Sequence, residues 1–225
     1  MDAVFRLLDS RERTEREHAA RDITLLAFLI LSYIWIWQGS FRGAFLVCVV
    51  CYFLIGIRSH RRCGEGLVHV GIRLDNAHTA ALTAVLLIGP LVAVAFGLGL
   101  YLDTWNIARL DRWHEHILGG SVWGCAQQYG LLAIFYRRAH TLFEHHWRAS
   151  LVAAAIFAVA HLPNPFLSVL TFLAWFVACE VYRRAPNLLV IGIAHSALSF
   201  VVASVLPSSV TWGMRVGWGA FRYFD

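Results

Sequence analysis

The chain of 225 residues contains no lysine, and all 19 of its basic residues are arginine. Charged residues of any kind are scarce, at 15% of the chain, whereas 59% of the residues are hydrophobic. Soluble domains average about 45–50% apolar residues, so the composition excludes an ordinary soluble domain. The arginines lie in short stretches between apolar runs, which is typical of membrane topology and excludes a nucleic-acid-binding surface.

Cysteine is also too sparse and too scattered for a disulfide framework. Four of the five cysteines lie within apolar runs, where cysteine acts as a small hydrophobic residue, and the fifth lies in an arginine-rich loop: Cys48, Cys51, Cys125, Cys179 and Cys63. A small-residue cleavage site is missing after the first apolar run. That run is therefore expected to remain as a membrane helix and not to act as a signal peptide.

The apolar runs predict an all-α fold, a polytopic integral membrane bundle of about seven transmembrane helices, with six or eight as alternatives. The predicted spans are residues 23–37, 43–57, 80–102, 117–136, 150–162, 166–182 and 187–206. They form one transmembrane domain, 23–206, between a cytoplasmic amphipathic segment, 1–22, and an interfacial tail, 207–225. Several spans are shorter than the roughly 20 residues of a full crossing.

The arginines predict the orientation of this bundle. If the N-terminus is cytoplasmic, the inner connections carry 14 of the 19 arginines, as the positive-inside rule requires. The expected location is the inner membrane of a bacterium, with the N-terminus in the cytoplasm. The expected partners are membrane lipids and a membrane-embedded peptide or lipid-like substrate, and the sequence does not predict an oligomeric state.

Polar side chains interrupt the apolar runs at three places: Gln127–Gln128, Phe157 with His161, and His195 with Ser199. An amide or imidazole facing lipid costs roughly 2–7 kcal/mol if unpaired, and an ionisable group inside a membrane segment marks a functional site by default. At 1.5 Å per residue, Gln127, His161 and His195 lie about 15, 16 and 12 Å from the ends of their spans. All three depths are near the middle of the bilayer, so we expect one shared site.

The spacing within each pair predicts how its members cooperate. Phe157 and His161 are four residues apart on one helix face, as are His195 and Ser199. We expect Phe157 to form a wall of the site and Ser199 to hydrogen-bond the imidazole or its water. The alternative for each residue is an ordinary hydrogen bond between helices.

These residues resemble, in order and spacing, the CPBP family of CAAX proteases and bacteriocin-processing enzymes, also called the Abi family. Its pattern is E-E-x-x-x-R, then F-x-x-x-H, then H-x-x-x-N, and the resemblance covers roughly residues 80–205. It implies a CPBP-type helical core and an intramembrane glutamic endopeptidase. In that chemistry the first glutamate, helped by the first histidine, activates water, while the second histidine and the asparagine stabilise the oxyanion.

The first motif departs from the family pattern. Gln127 and Gln128 stand where the two glutamates would be, and Leu132 stands where the arginine would be. An amide cannot act as a general base at neutral pH, although it can still orient water or a carbonyl group. Glu180 is the one acid within a predicted span, and we expect it to form an ion pair with Arg184.

Three functions remain open. The first is a CPBP-like hydrolase that uses the two histidines as an acid/base pair. The second is an inactive relative that binds a peptide or membrane partner in the former substrate cavity. The third is a metal enzyme, which is least favoured because two histidines without a third ligand make a poor zinc site; no metal and no cofactor are expected. The predicted catalytic positions are His161, His195, Gln127 and Gln128, and the predicted substrate-binding positions are Phe157, Ser199 and Leu132.

Overall fold

The structure, a computed structural model, describes residues 2–105 and 111–222, and the side chains of 10–105 and 111–220. All regular elements in these ranges are helical, which confirms the predicted all-α class. They are α1 (Asp2–Ser32), the π-helical segment π1 (Tyr33–Trp37), α2 (Ala44–Arg62), α3 (Ala77–Leu102), α4 (Trp113–Gln128), π2 (Tyr129–Tyr136), α5 (Arg137–Leu142), α6 (His146–Ala160), α7 (Pro165–Arg184), α8 (Leu188–Val205), α9 (Ser208–Thr211), a 3₁₀ turn (Trp212–Met214) and α10 (Gly219–Arg222).

The described helices have the lengths and compositions of a membrane bundle. Five of them are long and apolar enough to cross a membrane: Ser10–Trp37, α2, α3, α7 and α8. The apolar helix α6 is shorter, at 15 residues. A polytopic helical membrane protein is therefore confirmed, while seven as the number of crossings stays a prediction.

The predicted amphipathic segment, residues 1–22, is helical from Asp2 and continuous with the first predicted span. α1 runs without a break from Asp2 to Ser32, so the predicted boundary between residues 22 and 23 falls inside one helix. Two exposed ion pairs of i,i+4 spacing, Arg11–Glu15 and Arg13–Glu17, support its charged first half.

The centre of the bundle is a continuous helical path formed by α4, π2 and α5. The six residues 131–136 are each at most 5% exposed, because α6 and α7 pack around π2 while α8 packs along α4. The π-helical segment begins at Tyr129, immediately after Gln128. Wide turns of this kind occur frequently at functional sites.

Two glycines bring α4 and α8 into backbone contact. A Cβ atom on Gly124 would lie 2.4 Å from the carbonyl oxygen of Gly192, so neither helix could carry a larger residue here without moving apart. Gln128 lies one turn after Gly124, and His195 lies about one turn after Gly192. The close approach therefore allows these two side chains to meet.

Asn164 fixes the corner between α6 and α7. Its side chain is fully buried and accepts a hydrogen bond from the backbone N–H of Leu167 as the N-cap of α7. Its amide nitrogen donates to the carbonyl oxygens of Thr211 and Arg215. The C-terminal segment is therefore folded back against the corner that carries His161.

Candidate functional site

Gln128 and His195 form a direct polar contact inside the bundle. Gln128 ends α4 and is fully buried, and its Nε2 atom donates to Nδ1 of His195 over 2.9 Å. Because Nδ1 accepts this bond, the neutral imidazole of His195 carries its proton on Nε2. The buried Oε1 atom of Gln128 has no hydrogen-bond partner among the described residues.

His161 has the opposite tautomer. It follows the last residue of α6, and its Nδ1 atom lies 2.7 Å from the carbonyl oxygen of Phe157. A carbonyl oxygen can only accept, so Nδ1 carries the proton and Nε2 keeps a free lone pair. The Nε2 atom of His161 is thus a proton acceptor, whereas that of His195 is a hydrogen-bond donor.

A row of aromatic rings connects the two histidines. Phe157 packs against the ring of His161 at 4.8 Å and stacks on Trp175 at 5.1 Å and 14°. Trp175 meets the ring of His195 edge-on at 4.6 Å and 81°. Phe157 and Trp175 therefore lie in sequence between the ring of His161 and the ring of His195.

Trp175 is a site residue that the sequence analysis missed. It is 4% exposed, and its indole N–H is buried without a partner among the described residues. Tryptophan is common at the two surfaces of a membrane, so a tryptophan within an apolar run was not recognised as a site residue. The one available signal was its position in the middle of α7, away from either surface.

The contact between Gln128 and His195 opens on a small cavity. The cavity is lined by these two residues, Trp175 and the apolar side chains Ile88, Ala174, Ala178, Ile191, Ala194 and Leu198, and its volume is about 10 Å³. That is room for about one water molecule, and a buried water needs two to four polar partners. Gln128 and Trp175 each contribute a buried polar atom that has no partner within residues 10–105 and 111–220, one an acceptor and the other a donor.

The other predicted site residues lie outside this contact. Gln127 is half-buried and does not line the cavity, so Gln128 is the glutamine that the structure brings to a histidine. Leu132 is fully buried within π2 and packs in the core. Ser199 is half-buried one turn after His195, and the hydrogen bond of His195 goes to Gln128 instead of to Ser199.

The common depth predicted for Gln127, His161 and His195 stays a prediction. Gln128 and His195 meet within the bundle, whereas His161 follows the last residue of the short helix α6. The ring of His161 contacts Phe157, which stacks on Trp175, because α6 packs against α7.

Glu180, the single acid predicted within a span, forms an ion pair with two arginines. It accepts a hydrogen bond from Arg183 at 2.9 Å and lies 3.9 Å from Arg184.

A metal centre has no support in the described part of the chain. No three histidine, cysteine, aspartate or glutamate side chains come together there in an arrangement that could hold an ion. All five cysteines are free thiols. The polar side chains that line the cavity are Gln128, Trp175 and His195, and the imidazole of His161 lies on the other side of Phe157 from Trp175.

Comparison with known proteins identifies the segment that contains this group. Residues 124–201 match the model of the family described as type II CAAX prenyl endopeptidase, Rce1-like. No curated protein and no protein of solved structure matches the chain. The matched segment contains both glutamines, both histidines, Phe157 and Trp175, and the resemblance predicted from the motifs is confirmed. Residues 124–201 are therefore similar to the Rce1-like domain of type II CAAX prenyl endopeptidases.

Proposed function

We propose that the chain is an intramembrane hydrolase of the CAAX-protease type that works with two histidines and no catalytic carboxylate. The observation that carries the proposal is a pair of contacts, from Gln128 Nε2 to His195 Nδ1 and from His161 Nδ1 to the carbonyl oxygen of Phe157, which assign opposite tautomers to the two histidines. One Nε2 atom is free to take a proton, and the other is ready to donate a hydrogen bond. Acyl-transfer chemistry requires these two functions together.

In the proposed reaction, water attacks a substrate carbonyl carbon while His161 Nε2 removes one of its protons. The carbonyl oxygen becomes an oxyanion and is stabilised by the N–H of His195. When the tetrahedral intermediate collapses, the imidazolium of His161 returns the proton to the leaving group. A positioned general base contributes typically 10²–10⁴-fold to a rate, and one oxyanion donor about 10²–10³-fold.

Gln128 acts on His195 in this scheme. Its amide N–H holds Nδ1 as an acceptor, which keeps the proton of His195 on Nε2. Its free Oε1 can accept a hydrogen bond from the attacking water. Gln128 is therefore a positioning residue for His195, and Gln127 has no step of its own.

The proposed substrate is a membrane-embedded peptide or a lipid-like acyl compound. The walls of the cavity are apolar apart from Gln128, Trp175 and His195, which suits a substrate that arrives from the bilayer. Space for one water is too little for a peptide, so substrate binding must separate α7 from α8 locally. Such opening steps limit the turnover of many enzymes.

A second function is favoured by that same small cavity. A relative without the carboxylates of the family pattern would bind a membrane partner in the former substrate cavity without hydrolysing it. Filling the remaining space through Ala178→Leu would then weaken partner binding and would change no reaction, because Ala178 lines the cavity.

The two functions are separated by a hydrolysis assay on the whole chain in lipid nanodiscs. The probe is a farnesylated peptide that ends in a CAAX sequence, and the released C-terminal tripeptide is measured by mass spectrometry. We expect the wild type to release it and His161→Ala and His195→Ala to lose the activity at equal levels of inserted protein. Absence of product from the wild type, or unchanged product from either variant, contradicts the hydrolase.

A further inference from the structure

A network of buried and partly buried charged side chains lies at the arginine-rich end of the bundle, away from the candidate site. It joins α1, α2, the loop after α2 and α5. Its members, called the inner ion chain below, are Asp22, Ser59, His60, Arg62, Glu65, Arg137 and Arg138.

The first half of the inner ion chain runs from α1 to α5. Arg62 forms an ion pair with Asp22. Asp22 accepts a hydrogen bond from the hydroxyl of Ser59 at 2.6 Å. The same hydroxyl oxygen accepts from Nε of Arg138 at 2.8 Å. A single path of hydrogen bonds therefore links three helices.

The second half is centred on Glu65. Its carboxylate accepts from Nε of Arg137 at 3.0 Å, from Nδ1 of His60 at 2.7 Å, and from Arg138. Burial by itself raises the pKa of Glu65, but the hydrogen bonds from His60, Arg138 and Arg137 outweigh it and hold that pKa well below its usual range. Glu65 is therefore ionised, and its negative charge is paired with the guanidinium groups of Arg137 and Arg138.

The charges of the inner ion chain do not balance. Three arginines face two carboxylates, which leaves one positive charge in excess even with a neutral His60. Asp22 and Arg138 are 3% and 4% exposed, whereas 24% of the Arg62 side chain and 29% of the Arg137 side chain are exposed. The excess positive charge therefore reaches the protein surface at Arg62 and Arg137, where an anion can balance it.

The unused donor lies at the Arg62 end. The Nη1 atom of Arg62 is buried and has no partner among the described residues, although 24% of its side chain is exposed. Arg58 lies one turn earlier on the same face of α2 and is exposed. An anion at this surface would face the exposed part of the Arg62 side chain and a second arginine, Arg58.

We propose that the phosphate group of an anionic phospholipid binds at Arg62 and Arg58 and balances the inner ion chain. A phosphate oxygen accepts hydrogen bonds from the guanidinium group in the geometry that arginine favours. The lipid is the expected source because the site lies at the end of a helix that is apolar enough to span the bilayer. This inference does not depend on the proposed hydrolase activity.

The test compares thermal unfolding of the full chain in nanodiscs of phosphatidylcholine and of phosphatidylcholine with phosphatidylglycerol. For each variant the measured quantity is the shift in melting temperature between the two bilayers, so a change in intrinsic stability cancels. Native mass spectrometry of the detergent-solubilised chain counts bound phosphatidylglycerol. A third sample, in phosphatidylcholine with inorganic phosphate, separates a lipid headgroup from free phosphate.

We expect phosphatidylglycerol to stabilise the wild type and to bind Arg62→Gln roughly fivefold more weakly, the factor for one arginine at an anionic surface. Arg61→Gln is the matched control, since Arg61 is exposed beside Arg62 on the same helix and has the same charge, and it should keep most of the shift. Asp22→Asn frees Arg62 from its carboxylate and should increase the shift.

Three results would overturn the lipid site. Equal shifts for Arg62→Gln and Arg61→Gln would mean that general surface charge causes the effect. Stabilisation by inorganic phosphate alone would mean that the site takes a free anion. A smaller shift for Asp22→Asn than for the wild type would contradict the charge excess, and this variant tests the idea even if Arg62→Gln fails to fold.

Discussion

The Nε2 atom of Gln128 lies 2.9 Å from Nδ1 of His195, and this contact reverses the arrangement that a carboxylate at position 128 would impose. A carboxylate only accepts, so it would hold the proton of the imidazole on Nδ1 and leave Nε2 as a base. The amide donates, so the proton stays on Nε2. Glutamine at position 128 therefore favours a different tautomer of His195 from the one that a glutamate would favour.

The first prediction concerns the tautomer of His195. In ¹⁵N-histidine spectra of the chain in bilayers, we expect the proton of His195 on Nε2 and that of His161 on Nδ1. Gln128→Glu should move the proton of His195 to Nδ1 because the carboxylate needs a donor there. Gln127→Glu serves as the control and should leave both tautomers unchanged. A common tautomer for both histidines in the wild type would rule out the proposed division of roles.

The second prediction concerns Leu132, which occupies the arginine position of the family pattern. Leu132 is fully buried among apolar residues of the core. Leu132→Arg should lower the free energy of unfolding by about 3–5 kcal/mol, since it buries a charge without a partner. Leu132→Met, which conserves volume, should cost less than about 1.5 kcal/mol. Unfolding in mixed detergent measures both, and equal stability of the two variants would refute the packing described for π2.

The third prediction concerns pH and Glu65. Its pKa is lower in the folded chain than its usual value of 4.5, so its contribution to stability is complete above about pH 4.5 and is lost as the pH falls toward the folded-state pKa. The free energy of unfolding should therefore begin to fall below about pH 4.5. Glu65→Gln should reduce stability at pH 7 by about 3–5 kcal/mol, as expected for breaking a buried pair, and should weaken the acid dependence. Exposed Glu144→Gln is the control, and an acid profile of Glu65→Gln identical to that of the wild type would argue against the role of Glu65.

The fourth prediction concerns Asn164 and the C-terminal segment. Asn164→Asp keeps the oxygen that caps α7 but loses the amide N–H groups that hold the carbonyls of Thr211 and Arg215. We expect faster hydrogen exchange and proteolysis in residues 207–222, with α7 itself unaffected. Asn164→Ala loses the cap as well and should cost a further 1 kcal/mol or so. Protection of 207–222 that survives in both variants would show that other contacts hold the segment.

The sequence predicted the class of fold and the chemical types at the site because both depend on local patterns. Long apolar runs identify membrane helices without any knowledge of their neighbours, and histidine or glutamine within such a run stands out. The choice between Gln127 and Gln128 could not be made, because it depends on which face of α4 meets α8, and the contact of Gly124 with Gly192 decides that. Trp175 and the inner ion chain were missed for a related reason. A tryptophan in an apolar run, and arginines at helix ends, look like ordinary features of a membrane protein until their partners from distant segments are known.

The most direct test compares Gln128→Ala with Gln127→Ala in the release of tripeptide from the farnesylated CAAX peptide. The two residues are neighbours of one chemical type, so general damage to the membrane segment affects both, while Gln128 alone bonds His195. We expect Gln128→Ala to lose at least 10²-fold in kcat, because His195 then no longer holds its proton on Nε2 as the oxyanion donor. Gln127→Ala should stay within a few-fold of the wild type. A larger loss for Gln127→Ala than for Gln128→Ala, or equal rates for both variants, would contradict the site described here.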